Sequence, residues 1–201
     1  MGLPQLIVDE DDFLKFERSA RERHQFVDGD IFAMAGESWE HGIISVNIVR
    51  SLGNQLNDSP CKVQVKDLKV RSGPLPKAAK RPTGLYSYPD IVVVCDEPKF
   101  LDEHRDVLVN PSVIVEILSS ETEAFDRGKK FTGLQQYNSS LTDYVLVSQE
   151  RPQIEHFHRE KNGTWTYQCH EGMKANVKLA KIKCRLKAVD VYKGIKFGHS
   201  S

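Results

Sequence analysis

The sequence predicts one domain that mixes helices with strands, an α/β (α+β) protein. Two apolar runs, Ile91-Val92-Val93-Val94-Cys95 and Val113-Ile114-Val115-Glu116-Ile117-Leu118, read as strands buried on both faces. Asp28-Gly29 and Asn162-Gly163 each separate two strand-like runs and signal hairpins. Ile44, Ile48, Leu52 and Leu56 recur at every fourth residue, the spacing of one helix face. A chain of 201 residues can bury a proper core, and no repeat or boundary divides it, so residues 1–201 are read as a single domain.

The elements follow in order. Phe13, Leu14 and Phe16 lie among charged residues over 9–20, a short amphipathic helix. His24-Gln25-Phe26-Val27 and Asp30-Ile31-Phe32-Ala33-Met34 flank Asp28-Gly29, which favours a type I′ turn. Ser38 is an N-cap for a helix running to about Asn57, where Asp58-Ser59-Pro60 stops it. Lys62-Val63-Gln64-Val65 and Leu68-Lys69-Val70-Arg71 alternate as half-buried strands. Residues 72–84, rich in Pro, Gly and bases, read as an exposed loop. The two apolar strands come next, joined by a charged connection over 96–110. Ser120-x-x-Glu123 has the pattern of a capping box for a helix ending near Asn138. Asp143-Tyr144-Val145-Leu146-Val147 reads as a strand, and residues 153–158 and 164–167 form the second hairpin. One more strand is expected within 175–187. Residues 193–201 read as a frayed tail, and the core as about 13–168.

Formal charge balances, with 28 basic and 28 acidic residues, so the whole chain carries no electrostatic signature of nucleic acid. The charge is uneven, however. Residues 9–12 are all acidic, while residues 62–81 hold seven bases (Lys62, Lys66, Lys69, Arg71, Lys77, Lys80 and Arg81) against Asp67. Such a patch can follow a phosphate backbone, although a solvated face is the commoner reason for one. Cys61, Cys95, Cys169 and Cys184 lie far apart with no Cys-x-x-Cys, which fits a reduced, cytoplasmic protein rather than a disulfide framework or a zinc site. The acidic opening is no secretory leader, and no apolar run approaches the about 20 residues that span a membrane.

Two carboxylates stand out chemically. Asp90 begins one buried strand, and Glu116 interrupts the most apolar one, where charge is costly unless paired or metal-bound. Hydrolysing a phosphodiester requires neutralising the phosphate and making a nucleophile of water. A hard divalent cation on oxygen ligands does both. Asp126, Lys130, Gly133 and Tyr137 are spaced i, i+4, i+7 and i+11, one narrow stripe at about 100° per residue. If that stripe faces the acids, Lys130 can orient the attacking water or neutralise transition-state charge. A plain Asp126–Lys130 pair, worth only ~0.3–0.5 kcal/mol, is the bland alternative. His156 and His158 share one face of a strand. Zinc there lacks a third ligand at suitable spacing, so a surface pair is the simpler reading. His41, just inside the long helix, either approaches the acids or is an N-terminal surface group.

Several segments go beyond pattern: Arg23-His24-Gln25-Phe26-Val27-Asp28-Gly29-Asp30; Glu40-His41; Tyr88-Pro89-Asp90-Ile91-Val92-Val93-Val94; Val115-Glu116-Ile117-Leu118-Ser119-x-x-Thr122; Asp126-Arg127-Gly128-x-Lys130-Phe131; and Asp143-Tyr144-Val145-Leu146-Val147. In order and spacing this set resembles the Uma-type family of the PD-(D/E)xK nuclease superfamily. The resemblance implies a mixed sheet flanked by helices, as in restriction endonucleases. It further implies that Asp90 and Glu116 bind Mg²⁺, with Mn²⁺ as a substitute. The superfamily's lysine ordinarily lies two residues after the second acid, where this chain has Leu118. In the variant this family resembles, the lysine sits on the following helix, at the position of Lys130. Two departures stand beside the match. Gln25 occupies a position where the family usually carries glutamate, and the segment after Phe131 is one residue longer than usual, which displaces Tyr137 from the family's helix tyrosine.

The expectation is therefore a Mg²⁺-dependent DNA endonuclease. Asp90, Glu116 and Lys130 are its catalytic residues, with Gln25, His41, Asp126 and Tyr137 in support. Lys66, Lys69, Arg71, Lys80 and Arg81 would contact DNA, and the resemblance implies a homodimer. Gln25 motivates an alternative, a nuclease-fold module that binds nucleic acid or a protein without cutting. A phosphoesterase for small substrates is a third reading, favoured by a closed pocket over an open, basic-rimmed cleft.

Overall fold

The computed structural model describes residues 8–34, 36–74 and 83–198. Helix α1 (Glu10–Ser19) starts at Asp9, whose side chain accepts the Asp12 N–H, and its acidic first turn complements the helix dipole. Strands β1 (His24–Val27) and β2 (Asp30–Ala33) form the expected hairpin. Asp28 (φ 52°) and Gly29 (φ 99°) both take the left-handed conformation that a type I′ turn demands. Helix α2 (Trp39–Gln55) is capped by Ser38, whose hydroxyl accepts the His41 N–H. Strands β3 (Lys62–Val65), β4 (Lys69–Ser72), β5 (Leu85–Ser87), β6 (Ile91–Val94), β7 (Val107–Leu108) and β8 (Val113–Leu118) follow. The loop expected over 72–84 lies largely at residues 75–82, outside the described residues, and β4 is buried throughout rather than half-buried.

The chain then turns through α3 (Glu123–Phe125), a π-helical turn over Asp126–Lys130, and α4 (Phe131–Tyr137). No capping box forms at Ser120. Instead the Ser119 hydroxyl accepts the Thr122 N–H. Strands β9 (Asp143–Ser148), β10 (Gln153–Arg159) and β11 (Trp165–Glu171) form a meander. Residues 175–187 hold two strands rather than one, β12 (Asn176–Leu179) and β13 (Cys184–Lys187), followed by α5 (Ala188–Val191). The tail is not frayed as far as residue 198, because Ile195 and Phe197 pack partly buried on the core; residues 199–201 lie outside the described residues.

Strands β11-β10-β9-β8-β6-β3 make one sheet and β2-β1-β5-β4-β7 another. The first is mixed, since β8 and β9 run parallel between antiparallel neighbours. Strand alternation sends Val113, Val115 and Ile117 into a core beneath α2, β13 and α5. Ile114 and Leu118 face the opposite core with Leu134 and Tyr144. Glu116 belongs to that second face, on the side of α4.

Antiparallel pairing of β3 with β6 matches Lys62 with Val94, and one step further Cys61 and Cys95 are joined by a disulfide. This corrects the expectation of four reduced cysteines. Sequence separation says nothing about register, and register puts these two side by side. Cys169 is exposed and Cys184 buried.

Candidate active site

Where the large sheet meets the β1–β2 hairpin, the start of α2 and the π turn, a cavity of about 610 Å³ opens. Its floor holds Asp90, Glu116, Asp126, Lys130 and His41, and its mouth exposes Phe32, Glu37, Glu121 and Lys129. The three residues expected to converge do so. Glu116 and Lys130 are each 3% exposed, and Lys130 Nζ lies 2.7 Å from Glu116 Oε1 and 3.0 Å from Asp126 Oδ1. Asp90 and Glu116 each hold the other's strand. Asp90 Oδ2 accepts the Ile117 N–H at 2.7 Å, and Glu116 Oε2 accepts the Asp90 N–H at 3.3 Å. The carboxylates therefore lie side by side across the β6–β8 pair.

The π turn explains which helix residues reach the site. A regular helix would point Asp126, Lys130, Gly133 and Tyr137 one way. The wider turn retards the face by about one residue, so the buried series is Asp126, Lys130, Leu134 and Asn138. Tyr137 is 43% exposed and does not line the cavity, which corrects its assignment as a supporting residue. Phe131 packs on Tyr144 at 5.0 Å, and the Tyr144 hydroxyl donates to the Asp126 carbonyl, so the turn is clamped over Glu116.

Burial raises the Glu116 carboxyl well above the usual carboxylate range; the Lys130 ammonium opposes this, while Asp126 and Asp90 add to it. Burial also disfavours the Lys130 ammonium, but Glu116 and then Asp126 outweigh it and hold its pKa above the ordinary lysine value. Glu116 and Asp126 thus share one buried amine, with Asp90 beside Glu116. That leaves a surplus of negative charge which a divalent cation would neutralise.

His41 Nε2 lies 3.0 Å from Asp90 Oδ1, so this histidine does belong to the site. Glu37 joins it, its carboxylate grouped with His41 Nε2 and Asp90 within metal-ligand spacing. Nothing in the residue pattern singled out Glu37, because it lies in the irregular residues just before the Ser38 cap. Gln25 Oε1 is buried in the site without a hydrogen-bond partner, an orphaned oxygen donor of the kind a hard cation accepts. The donors present therefore fit Mg²⁺ or Mn²⁺.

The basic stretch needs correction. Lys69 is 5% exposed and pairs with Asp106 at 3.0 Å; Arg71 is 6% exposed and pairs with Glu10 at 2.8 Å. Both are buried themselves and spent on carboxylates within the fold, so they cannot track DNA. Lys66 does not line the cavity and is spent on Glu37 at its mouth, and Lys80 and Arg81 lie outside the described residues. The bases that do line the cavity around Lys130 are Arg23 and Lys129. His156, expected on the surface, is buried against Asp143.

Comparison with known proteins agrees with this geometry. The Uma2 family model, described as "Putative restriction endonuclease", matches residues 10–181. The uncharacterized protein slr1290 of Synechocystis sp. is 32% identical over 96% of this chain and 95% of its own length. A second Synechocystis protein, sll1609, also uncharacterized, is 28% identical over 86% of this chain and 92% of its own length. Among solved structures, a putative nuclease of DUF820 from Anabaena variabilis superposes with a TM-score of 0.73 at 14% identity, covering 92% of this chain and 97% of that one. The fold is that of the restriction-endonuclease-like nucleases, and the chain belongs to the Uma2 family.

Proposed function

We propose that this protein is a divalent-metal-dependent endonuclease that hydrolyses DNA phosphodiesters. One observation carries the reading: a buried lysine, Lys130, is ion-paired with Glu116 in the cavity where Asp90 and the orphaned Gln25 oxygen converge. Asp90 and Glu116 would hold Mg²⁺, or Mn²⁺ in its place, with Gln25 Oε1 as a neutral third ligand. The cation would supply charge neutralisation at the phosphate and acidify a bound water. Lys130 opposes the burial that favours the protonated Glu116 carboxyl and places an ammonium beside the reacting phosphate. His41 fixes the rotamer of Asp90, and Glu37 restores a carboxylate where Gln25 lacks one. Arg23 and Lys129 take the role of backbone contacts that the buried Lys69 and Arg71 cannot play.

The exposed mouth favours a polymer over a small ester, and Phe32, 53% exposed at that mouth, offers a face on which a base can stack. A homodimer in the cytoplasm completes the proposal, and analytical ultracentrifugation checks the dimer. Among the described residues no helix is long and apolar enough to cross a membrane.

The test is Mg²⁺-dependent nicking of plasmid DNA by the wild type and by Glu116→Gln, which keeps the side chain's shape. Cleavage should fall by at least about 100-fold while the far-UV spectrum stays unchanged. Equal cleavage by both proteins would remove the mechanism. Gln25 sustains the second reading, a module that binds without cutting. Calorimetric titration separates the two, since no heat with millimolar Mg²⁺ or Mn²⁺ favours the binder.

A further inference from the structure

On the other face of the large sheet, away from Glu116, three potential ligands meet. Asp143 opens β9 and is fully buried, on the same face as Val145 and Val147. His156 and His158 come from β10, whose register sets them against Val145 and Asp143. His156 Nε2 and His158 Nδ1 both lie 2.8 Å from Asp143 Oδ1. The second carboxylate oxygen is fixed by the Thr142 hydroxyl at 2.8 Å, so the group is held from behind. The third ligand came from a neighbouring strand 13 and 15 residues upstream, which is why spacing along β10 alone could not reveal it.

We propose that Asp143, His156 and His158 form a binding site for a first-row transition metal of the Zn²⁺ class, separate from the cleavage site. Two imidazoles and one carboxylate are a three-ligand set that zinc uses with one position left open. Nitrogen ligands select Zn²⁺, Co²⁺ or Ni²⁺ over Mg²⁺ and Ca²⁺. Binding needs no redox partner: the proton on each ring's inward nitrogen moves to its outward nitrogen, and the freed lone pairs take the ion. His158 is the exposed member, with 29% of its side chain accessible, and it provides the entry path. A second observation points the same way. His170 on β11 pairs with Ile154 and is therefore a diagonal neighbour of His156 on one face. Its Nε2 is buried with no hydrogen-bond partner, an unsatisfied imidazole nitrogen beside the Asp143, His156 and His158 donors, which themselves lie within 4.8 Å of one another. The ion would cross-link β9 to β10.

The experiment uses tag-free full-length protein stripped with chelator, then titrated with Zn²⁺ by calorimetry in excess Mg²⁺. One Zn²⁺ per chain is expected, and it persists in Glu116→Gln, which leaves this face untouched. His158→Ala and His158→Gln should each weaken binding by at least about 100-fold, more than loss of an outer partner costs. Absorption of the Co²⁺-loaded wild type should show the ligand-field bands of a low-coordinate nitrogen–oxygen site. That spectrum is independent of how well the variants fold. No Zn²⁺ uptake, a Co²⁺ spectrum like the aqueous ion, or equal affinity in wild type and both His158 variants would each overturn the site and leave a hydrogen-bonded Asp–His pair network. Absence of Mg²⁺-dependent cleavage by the Zn²⁺-binding wild type would count against the nuclease reading alone.

Discussion

Lys130 is the residue on which both stability and chemistry turn. It is the only base in contact with Glu116 and Asp126 among the described residues, and all three side chains are almost wholly buried. Lys130→Met keeps the length of the stem and removes the charge, leaving two acids without their counter-ion. Breaking such a buried pair costs about 3–5 kcal/mol, so the urea midpoint should fall accordingly. Millimolar Mg²⁺ should recover more stability in Lys130→Met than in the wild type, because the acid surplus is then larger. Equal recovery in both would show that no cation enters the cluster. This lysine was legible because the helical stripe and the family resemblance chose the same residue; spacing from Asp126 alone left an ordinary i,i+4 pair as the alternative. Lys69 and Arg71 were misread for the opposite reason. Their partners, Asp106 and Glu10, lie on elements that only the fold brings near. Asp106 itself gives a pH prediction. The Arg18 hydrogen bond, against the cost of burial and with help from Lys69, lowers its pKa from 3.8 to about 2. The stabilisation is fully present above the ordinary carboxyl value and disappears as pH falls through about 2. With solvent screening it amounts to about 1 kcal/mol. Wild type should therefore lose about 1 kcal/mol more than Asp106→Asn between about pH 5 and about pH 2 in urea unfolding.

At the level of elements, turns and caps were the parts the sequence specified most directly. Asp28-Gly29 needed no tertiary contact to be read as a type I′ turn, and Ser38 none to be read as a cap. The π turn was not readable, because a helix of constant pitch is the only assumption spacing allows. The hairpin and the π turn are also tied to each other: Asp28 pairs with Lys129 at 2.7 Å and accepts the Gly84 N–H. The hairpin that carries Gln25 is thus moored to the turn that carries Lys130. Gly29→Ala forces a side chain at a φ of 99°, costing about 1 kcal/mol or more. Because the strain falls on this mooring, cleavage should drop further than the loss of folded protein accounts for. Rates corrected for the folded fraction by urea titration check it, and corrected rates equal to wild type would show that the hairpin does not position the site.

Across the whole molecule, the mixture of helix and sheet followed from two apolar runs and one helical periodicity, while the pairing order and the two-sheet arrangement did not. Strand order is decided by contacts between residues far apart in sequence, and the disulfide between Cys61 and Cys95 is the plainest example. The electrostatics behave likewise. A chain of zero net charge folds so that its acids gather in the cavity and several of its bases are consumed beneath the surface. A phosphodiester approaching that cavity meets Asp90, Glu116, Asp126, Glu37 and Glu121, with Arg23, Lys129 and the committed Lys130 in opposition. Repulsion should dominate until divalent cations bind. DNA affinity measured by fluorescence anisotropy should therefore be weak in chelator and rise by at least about tenfold with Ca²⁺, which takes the same oxygen ligands. Replacing Arg23 and Lys129 with alanine should then reduce the slope of log affinity against log salt by about 2, one unit per lost phosphate contact. A slope unchanged by both substitutions, with Ca²⁺ present, would place the DNA on another surface. Affinity that is already high in chelator would mean that the acid surplus is not what the nucleic acid meets.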